Sequence, residues 1–225
     1  YIWKEKMWKQ FQSVKLIFKL SCSVFAEQVL MRTGFMATAI MAADMGTNAM
    51  AAHQVGMNAL SLSFSLGDGM QAAAVSLIGQ SLGEKNKNQA KQYGFLCQKI
   101  GIAMAVIMAL FYLFFGESLY RLFFEEEHIV TIGIGITRLI IVIVMFQISQ
   151  VIFSGCLRGA GDVVYTMICS CISVVFVRTA VSYVCGYYCG WGIYGIWMGI
   201  MADQFCRLIF GFLRFRSGKW TGIKI

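Results

Sequence analysis

The residues best suited to chemistry sit where water is scarce. Glu27 and Asp68 are carboxylates inside long runs of Ala, Met, Val, Leu and Phe. An acid taken out of water is pushed toward its protonated form, so it can carry a proton or ligate Na+ near neutral pH. Ionisable groups at membrane depth are functional candidates for this reason, and Glu27 and Asp68 are the candidates for cation or proton coupling. Each has a structural alternative. Glu27 shares its segment with Arg32 and could form a buried ion pair. Asp68 lies between Gly67 and Gly69, which suggests a backbone irregularity that its side chain could cap. Asp203 and Arg207 stand four residues apart and read as a mutually neutralising pair. Arg178 has no partner nearby in sequence, and Glu27 or Asp68 could serve as one in space.

Neutral polar residues form two stripes. Gln54, Asn58, Ser61, Ser65 and Asp68 fall at i, i+4, i+7, i+11 and i+14, one face of a helix. Such a face belongs against a water-filled cavity or other polar helices rather than lipid. Gln147, Gln150 and Ser154 fall at i, i+3 and i+7, with Arg158 a further turn on. Amides there suit hydrogen bonds to a ligand or to neighbouring helices. His53 and His128 are isolated, and the 8 Cys show no zinc spacing with them. No phosphate loop and no Ser-His-Asp order occurs, so an enzyme is not indicated and no cofactor is expected.

The elements that carry these residues are hydrophobic spans. Of 225 residues 58% are apolar and 13% charged, with mean hydropathy +0.68, against about 25% charged in soluble domains. Membrane lipid is the expected surrounding, and the net charge of +8 is not a nucleic-acid signature in so apolar a chain. The pattern predicts an all-α integral membrane protein with six transmembrane helices near 14–41, 51–79, 94–115, 129–155, 163–186 and 192–213. Residues 1–13, with Trp3, Met7, Trp8 and Phe11 on one face, read as an amphipathic interface or linker segment, and 214–225 as a basic tail. Lys and Arg gather in the N-terminal lead, at Lys85–Lys91, at Arg158 and in the tail, while the other connections hold only Arg121 beside Glu125, Glu126 and Glu127. The positive-inside rule then puts both termini in the cytoplasm. Proline is absent, so helix breaks are expected from the 23 Gly and from Ser or Thr. Tyr183, Tyr187, Tyr188, Trp191 and Tyr194 read as an interfacial aromatic belt. No signal-peptide pattern is present, and the opening YIWKEK suggests a piece of a longer protein.

Two motifs add a resemblance. Ala51-Ala52-His53-Gln54, Gly69 with Ala73, and Ile78-Gly79-Gln80-Ser81-Leu82-Gly83 form one; Gly155-Cys156-Leu157-Arg158-Gly159-Ala160-Gly161-Asp162 forms the other. At this separation they resemble the MATE family, the multidrug and toxic compound extrusion transporters. The resemblance covers nearly the whole chain and implies the C-terminal six-helix lobe of a twelve-helix protein. It implies a plasma-membrane antiporter that exports cationic or amphipathic drug-like compounds in exchange for Na+ or H+, by alternating access between two lobes. The missing N-terminal lobe is then the partner, and Gln54, Asn58, Ser61, Ser65, Gln147 and Gln150 line the substrate cleft. Some members carry a coupling acid on the first helix of this lobe, where Glu27 lies about one turn early with Met31 nearer the place. Others carry one on the fourth helix, where Gln147 stands and cannot act as a carboxylate. Two other readings remain: a lipid-linked sugar flippase, which needs a cationic cavity to which Arg32, Arg138 and Arg178 could contribute, and a non-transporting half-size lobe.

Overall fold

The structure, a computed structural model, describes residues 11–222, with some side chains early in the first helix, that of Glu27 included, outside the described residues. The interface segment 1–13 therefore also lies outside, apart from its last three positions, which open the first helix. Six long helices follow one another: α1 Phe11–Asp44, α2 Thr47–Gly83, α3 Lys87–Phe123, α4 Glu127–Gly159, α5 Val163–Tyr188 and α6 Ile193–Ser217. A short 3-10 turn, Lys219–Gly222, folds back after α6 and buries Trp220, whose Nε1 donates to the Phe215 carbonyl at 2.8 Å. A helix of 37 residues, the length of α2 and α3, is about 55 Å long, against ~30 Å of hydrocarbon. The helices thus run past the apolar spans into water at both ends.

Local chemistry sets the joints. Asn86 caps α3, its Oδ1 accepting from the Gln89 backbone N–H at 3.1 Å. Gly161, at φ +81°, takes the left-handed conformation that lets the chain leave α4. The next residue, Asp162, accepts from Arg214 Nε at 2.7 Å and ties the α4–α5 joint to the end of α6.

The central helix is α4, packed against α2, α3 and α6. Its Ile136, Ile143, Ile148 and Ile152 are fully buried. Where lipid removes the usual hydrophobic drive between helices, close backbone approach becomes the main source of packing. Gly155 and Gly159 provide it: a Cβ at Gly159 would come within 2.6 Å of the Val75 carbonyl of α2. Helix α3 covers α4 on the outside and shows Ile107, Leu113, Phe114 and Leu122 on its outer face, as a lipid-facing helix should. Among the described residues four helices, α3 to α6, are long and apolar enough to cross a membrane. The polar residues of α1 and α2 lower their apolarity below that measure.

A buried hydroxyl network joins α2 to α3. Tyr112 Oη donates to the Ala59 carbonyl at 2.6 Å and lies 3.0 Å from Ser63 Oγ. Tyr112→Phe strips the carbonyl and hydroxyl of that partner at a site that is 1% exposed. It should cost about 1–2 kcal/mol, read as a lower thermal midpoint of the purified protein, whereas Tyr93→Phe at the helix start should melt as the parent does.

Helix breaks do not come from glycine alone. Helix α5 contains two π-helical stretches, Ile172–Arg178 and Val184–Tyr188, separated by one α-helical stretch. Their i→i+5 ladder stacks residues five apart, which an α-helix would set about 140° apart. Ser173 and Arg178 consequently both reach α6. Ser173 Oγ donates to the Asp203 carbonyl at 2.9 Å, and Ser182 Oγ, farther along, donates to the Ile196 carbonyl at 3.1 Å.

Candidate functional site

The α2 stripe lies on an open face. Gln54, Asn58, Ser61, Ser65 and Asp68 are all exposed, whereas His53, beside Gln54, turns inward and packs edge-on against Trp197 at 5.6 Å. Beside this face, between α1 and α2, is a cavity of about 340 Å³. Ser61 and Ser65 line it, but Gln54 and Asn58 lie farther along the helix and do not. Its apolar wall comes from Met31 and Phe35 of α1 and Met57, Leu60 and Phe64 of α2.

Its polar wall comes from deeper in the lobe. Gln147 of α4, Arg178 of α5 and Gln204 and Arg207 of α6 line it, all nearly buried. The Oε1 atoms of Gln147 and Gln204 have no hydrogen-bond partner. Behind them Asp203 is fully buried, with Oδ2 2.9 Å from Arg207 Nη2 and 3.3 Å from Arg178 Nε. One carboxylate thus sits between two guanidiniums. The Asp203–Arg207 pair was readable from its spacing. Among the described residues the partner of Arg178 is Asp203 of α6 rather than Asp68, and the side chain of Glu27 lies outside the described residues.

A second, smaller cavity of about 110 Å³ shares Gln28, Met31, Phe64 and Arg207 with the first and adds Asp68, Gln71, Gln150, Ser154 and Arg158. With the Gln71 amide oriented to satisfy both neighbours, its Nε2 donates to Asp68 Oδ1 at 2.9 Å and its Oε1 accepts from Arg158 Nη1 at 3.2 Å. This amide links the two motifs of the sequence through side chains. Asp68 caps nothing: α2 runs unbroken through Gly67, Asp68 and Gly69, since glycine inside a helix weakens it without ending it.

The sequence-predicted residues therefore fall in three places. Ser61, Ser65 and Gln147 meet at the larger cavity, and Asp68 and Gln150 meet at the smaller one. Gln54 and Asn58 continue the open stripe outside both. The backbone of Glu27 adjoins Gln28, which lines both cavities. Of the three arginines that could contribute to a cationic cavity, Arg32 and Arg178 line the larger cavity, together with Arg207; Arg138 is exposed and lines neither cavity. Among the described residues no group of three or more His, Cys, Asp or Glu converges as a metal cage.

Comparison with known proteins places this arrangement. The MatE family model matches residues 24–184. The chain is 29% identical over 215 residues to the probable multidrug resistance protein NorM of Thermotoga maritima, covering 94% of the chain and 46% of that protein. It is 32% identical over 203 residues to a protein of the same description from Bacillus cereus, covering 86% of the chain and 41% of that protein. Among solved structures, a MATE in the bent conformation shares the fold with a TM-score of 0.85 at 21% identity, over 92% of this chain and 46% of that one. A MOP superfamily transporter from Pyrococcus furiosus shares it with a TM-score of 0.83 at 18% identity, over 90% and 45%. The chain spans less than half the length of each of these relatives.

Proposed function

Because the chain belongs to the MatE family of multidrug efflux transporters, we propose that it forms one six-helix lobe of a multi-pass membrane transporter that exports amphipathic, drug-like compounds. The observation that carries this reading is the open polar face of α2 beside a cavity of about 340 Å³. A polar face of a spanning helix needs a partner other than lipid. A second six-helix lobe facing it supplies that partner and encloses a cleft at the repeat interface, where transporters of this kind bind substrate. Gln54, Asn58, Ser61 and Ser65 are the wall of that cleft, with Gln147 and Gln150 reached through the cavities beside it.

Export against a gradient by alternating access needs an inward-moving ion, Na+ or H+. Glu27 and Asp68 are the residues proposed to couple it. Asp68 is supported by its place at the edge of the smaller cavity, and Glu27 by its place next to Gln28. Plasma-membrane insertion with both termini of this segment in the cytoplasm is supported by the charge bias. Arg121, the one basic residue of the opposite connections, is held by Glu117 at 2.9 Å and Glu127 at 2.7 Å. The convergence of Arg32, Arg178 and Arg207 favours a second reading, flipping of an anionic lipid-linked substrate.

The test is transport by the complete protein in proteoliposomes under imposed Na+ or pH gradients, with ethidium as the cationic probe. Glu27→Gln should cut gradient-driven uptake by more than tenfold, and Asp68→Asn should do the same if both acids couple. Full uptake by Glu27→Gln removes Glu27 from the mechanism, and no uptake by the parent of either ethidium or an anionic amphiphile under either gradient sinks the drug-efflux reading.

A further inference from the structure

We propose that the larger cavity of this lobe is a subsite for an anionic group, and that it favours amphiphiles carrying a carboxylate over their uncharged or cationic counterparts. The inference rests on the efflux reading above and narrows the cationic or amphipathic range implied by the family resemblance to amphiphiles that carry an anionic group.

The guanidinium of Arg178 is 1% exposed and lines the cavity. A planar guanidinium offers five N–H donors in a fixed fork suited to a carboxylate. At Arg178 one edge, Nε, faces Asp203 Oδ2 at 3.3 Å without hydrogen-bond geometry, and Nη1 has no partner at all. Phe35 stacks on its plane, the Arg178 Cζ lying 4.6 Å from the ring centroid. The group is held in place on its face and on one edge, with donors left over. Arg207 is similarly underused, with Nη2 on Asp203 at 2.9 Å, Nη1 only on the Met31 sulfur at 3.6 Å, and Nε unpartnered.

Charge points the same way. Among the described residues the cavity and its backing hold three guanidiniums, Arg32, Arg178 and Arg207, against one carboxylate, Asp203. Excess positive charge at membrane depth is costly and calls for a counter-charge. A carboxylate on the ligand provides one and takes bidentate, charge-assisted hydrogen bonds. The unpartnered amides of Gln147 and Gln204 add NH2 donors when turned over. The walls of Met31, Phe35, Met57, Leu60 and Phe64 accept the apolar body of the ligand. Arg32, exposed and lining the same cavity, steers an anion inward.

The test uses the complete transporter and a matched pair, dansyl-phenylalanine and its methyl ester, which differ by one carboxylate charge. Dansyl fluorescence gives the Kd of each for the purified protein. The acid should bind at least about tenfold more tightly than the ester, the worth of one charge-assisted hydrogen bond. Equal binding, or a preference for the ester, overturns the proposal. In Arg178→Gln the preference should shrink to within about twofold, the range left by exposed charges alone; a preserved preference overturns the assignment to Arg178. Should that variant fail to fold, Arg32→Glu decides instead: the preference should fall at least about threefold, and an unaltered ratio overturns the proposal. Vesicle export separates the two readings. Export of the ester without binding of the acid ends this inference and leaves efflux standing. Binding of the acid without export of either compound ends the efflux reading and leaves the subsite standing.

Discussion

Asp203→Ala should prevent the protein from accumulating in a folded state. Asp203 is 0% exposed and, among the described residues, is the one carboxylate paired with two guanidiniums that are themselves 1% and 7% exposed. Arg178 and Arg207 cannot follow water out of the lobe, because Arg178 is pinned under Phe35 and Arg207 lies on the same helix as Asp203. Removing one partner from a buried ion pair leaves an uncompensated charge, at a cost of ~3–5 kcal/mol. Here it leaves two, which is comparable to the whole stability of many domains. Size-exclusion chromatography of the detergent extract and a thermal melt would read the outcome: little monodisperse protein, melting far below the parent. Asp203→Asn keeps the shape, loses the charge, and should be nearly as damaging. Adding Arg178→Gln to Asp203→Asn should restore part of the loss, with a coupling of about 1–3 kcal/mol expected for residues in direct contact. A normal melt for Asp203→Ala would show that the triad is solvated and would remove it as a structural ion cluster.

Gly199→Val should be the most damaging change away from any charge. Gly195 and Gly199 stand one turn apart on α6 and form the seam with α5. A Cβ at Gly199 would lie 2.7 Å from the Arg178 carbonyl and 2.7 Å from the Ser182 backbone nitrogen, and it would also meet Ser182 Oγ. At Gly195 it would meet the backbone of Cys185 and Gly186. Backbone atoms cannot swing aside as side chains can, so the helices must separate. Overpacking a core typically costs about 1–3 kcal/mol; a branched side chain against backbone belongs at the upper end or beyond. Gly199→Ala carries the same Cβ and should also melt below the parent, by less than Gly199→Val. Gly69→Ala is the control: nothing lies within 4 Å of its Cβ position, and alanine favours the helix by ~1 kcal/mol. It should melt at or above the parent temperature, and a Gly199→Val protein that melts alongside it would contradict the seam.

How far the sequence reached follows from which signals are local. Six helices were visible because long, largely apolar runs between short polar connections leave few alternatives, and the α2 stripe was visible because its polar residues repeat at helical spacing. The Asp203–Arg207 pair was visible at i, i+4. The third member was not. Arg178 and Asp203 are 25 residues apart on different helices, and ISVVFVR carries no mark of the π winding that places Ser173 and Arg178 on the side of α6. Glycine misled at Gly67 and Gly69, where α2 continues, and the close packing at Gly155 and Gly159 was not read from the sequence; the difference lies in the neighbour across the interface, which sequence spacing does not contain. Gln147 and Gln150 show the same limit. Three residues apart on one helix, they line different cavities.

The π stretches of α5 also bear on how the gene for such a helix can change length. Each closes its ladder one residue later than an α-helix does, so each stores one residue more than its span requires. Losing a residue such as Phe176, whose side chain faces outward at 68% exposure, would let Ile172–Arg178 relax to α geometry with the faces on either side still aligned. The same loss from the middle of α4 would rotate everything beyond it by about 100° and turn its isoleucine core toward the outside. Among relatives that share this lobe, single-residue gaps and insertions should therefore gather in α5 and stay out of α4.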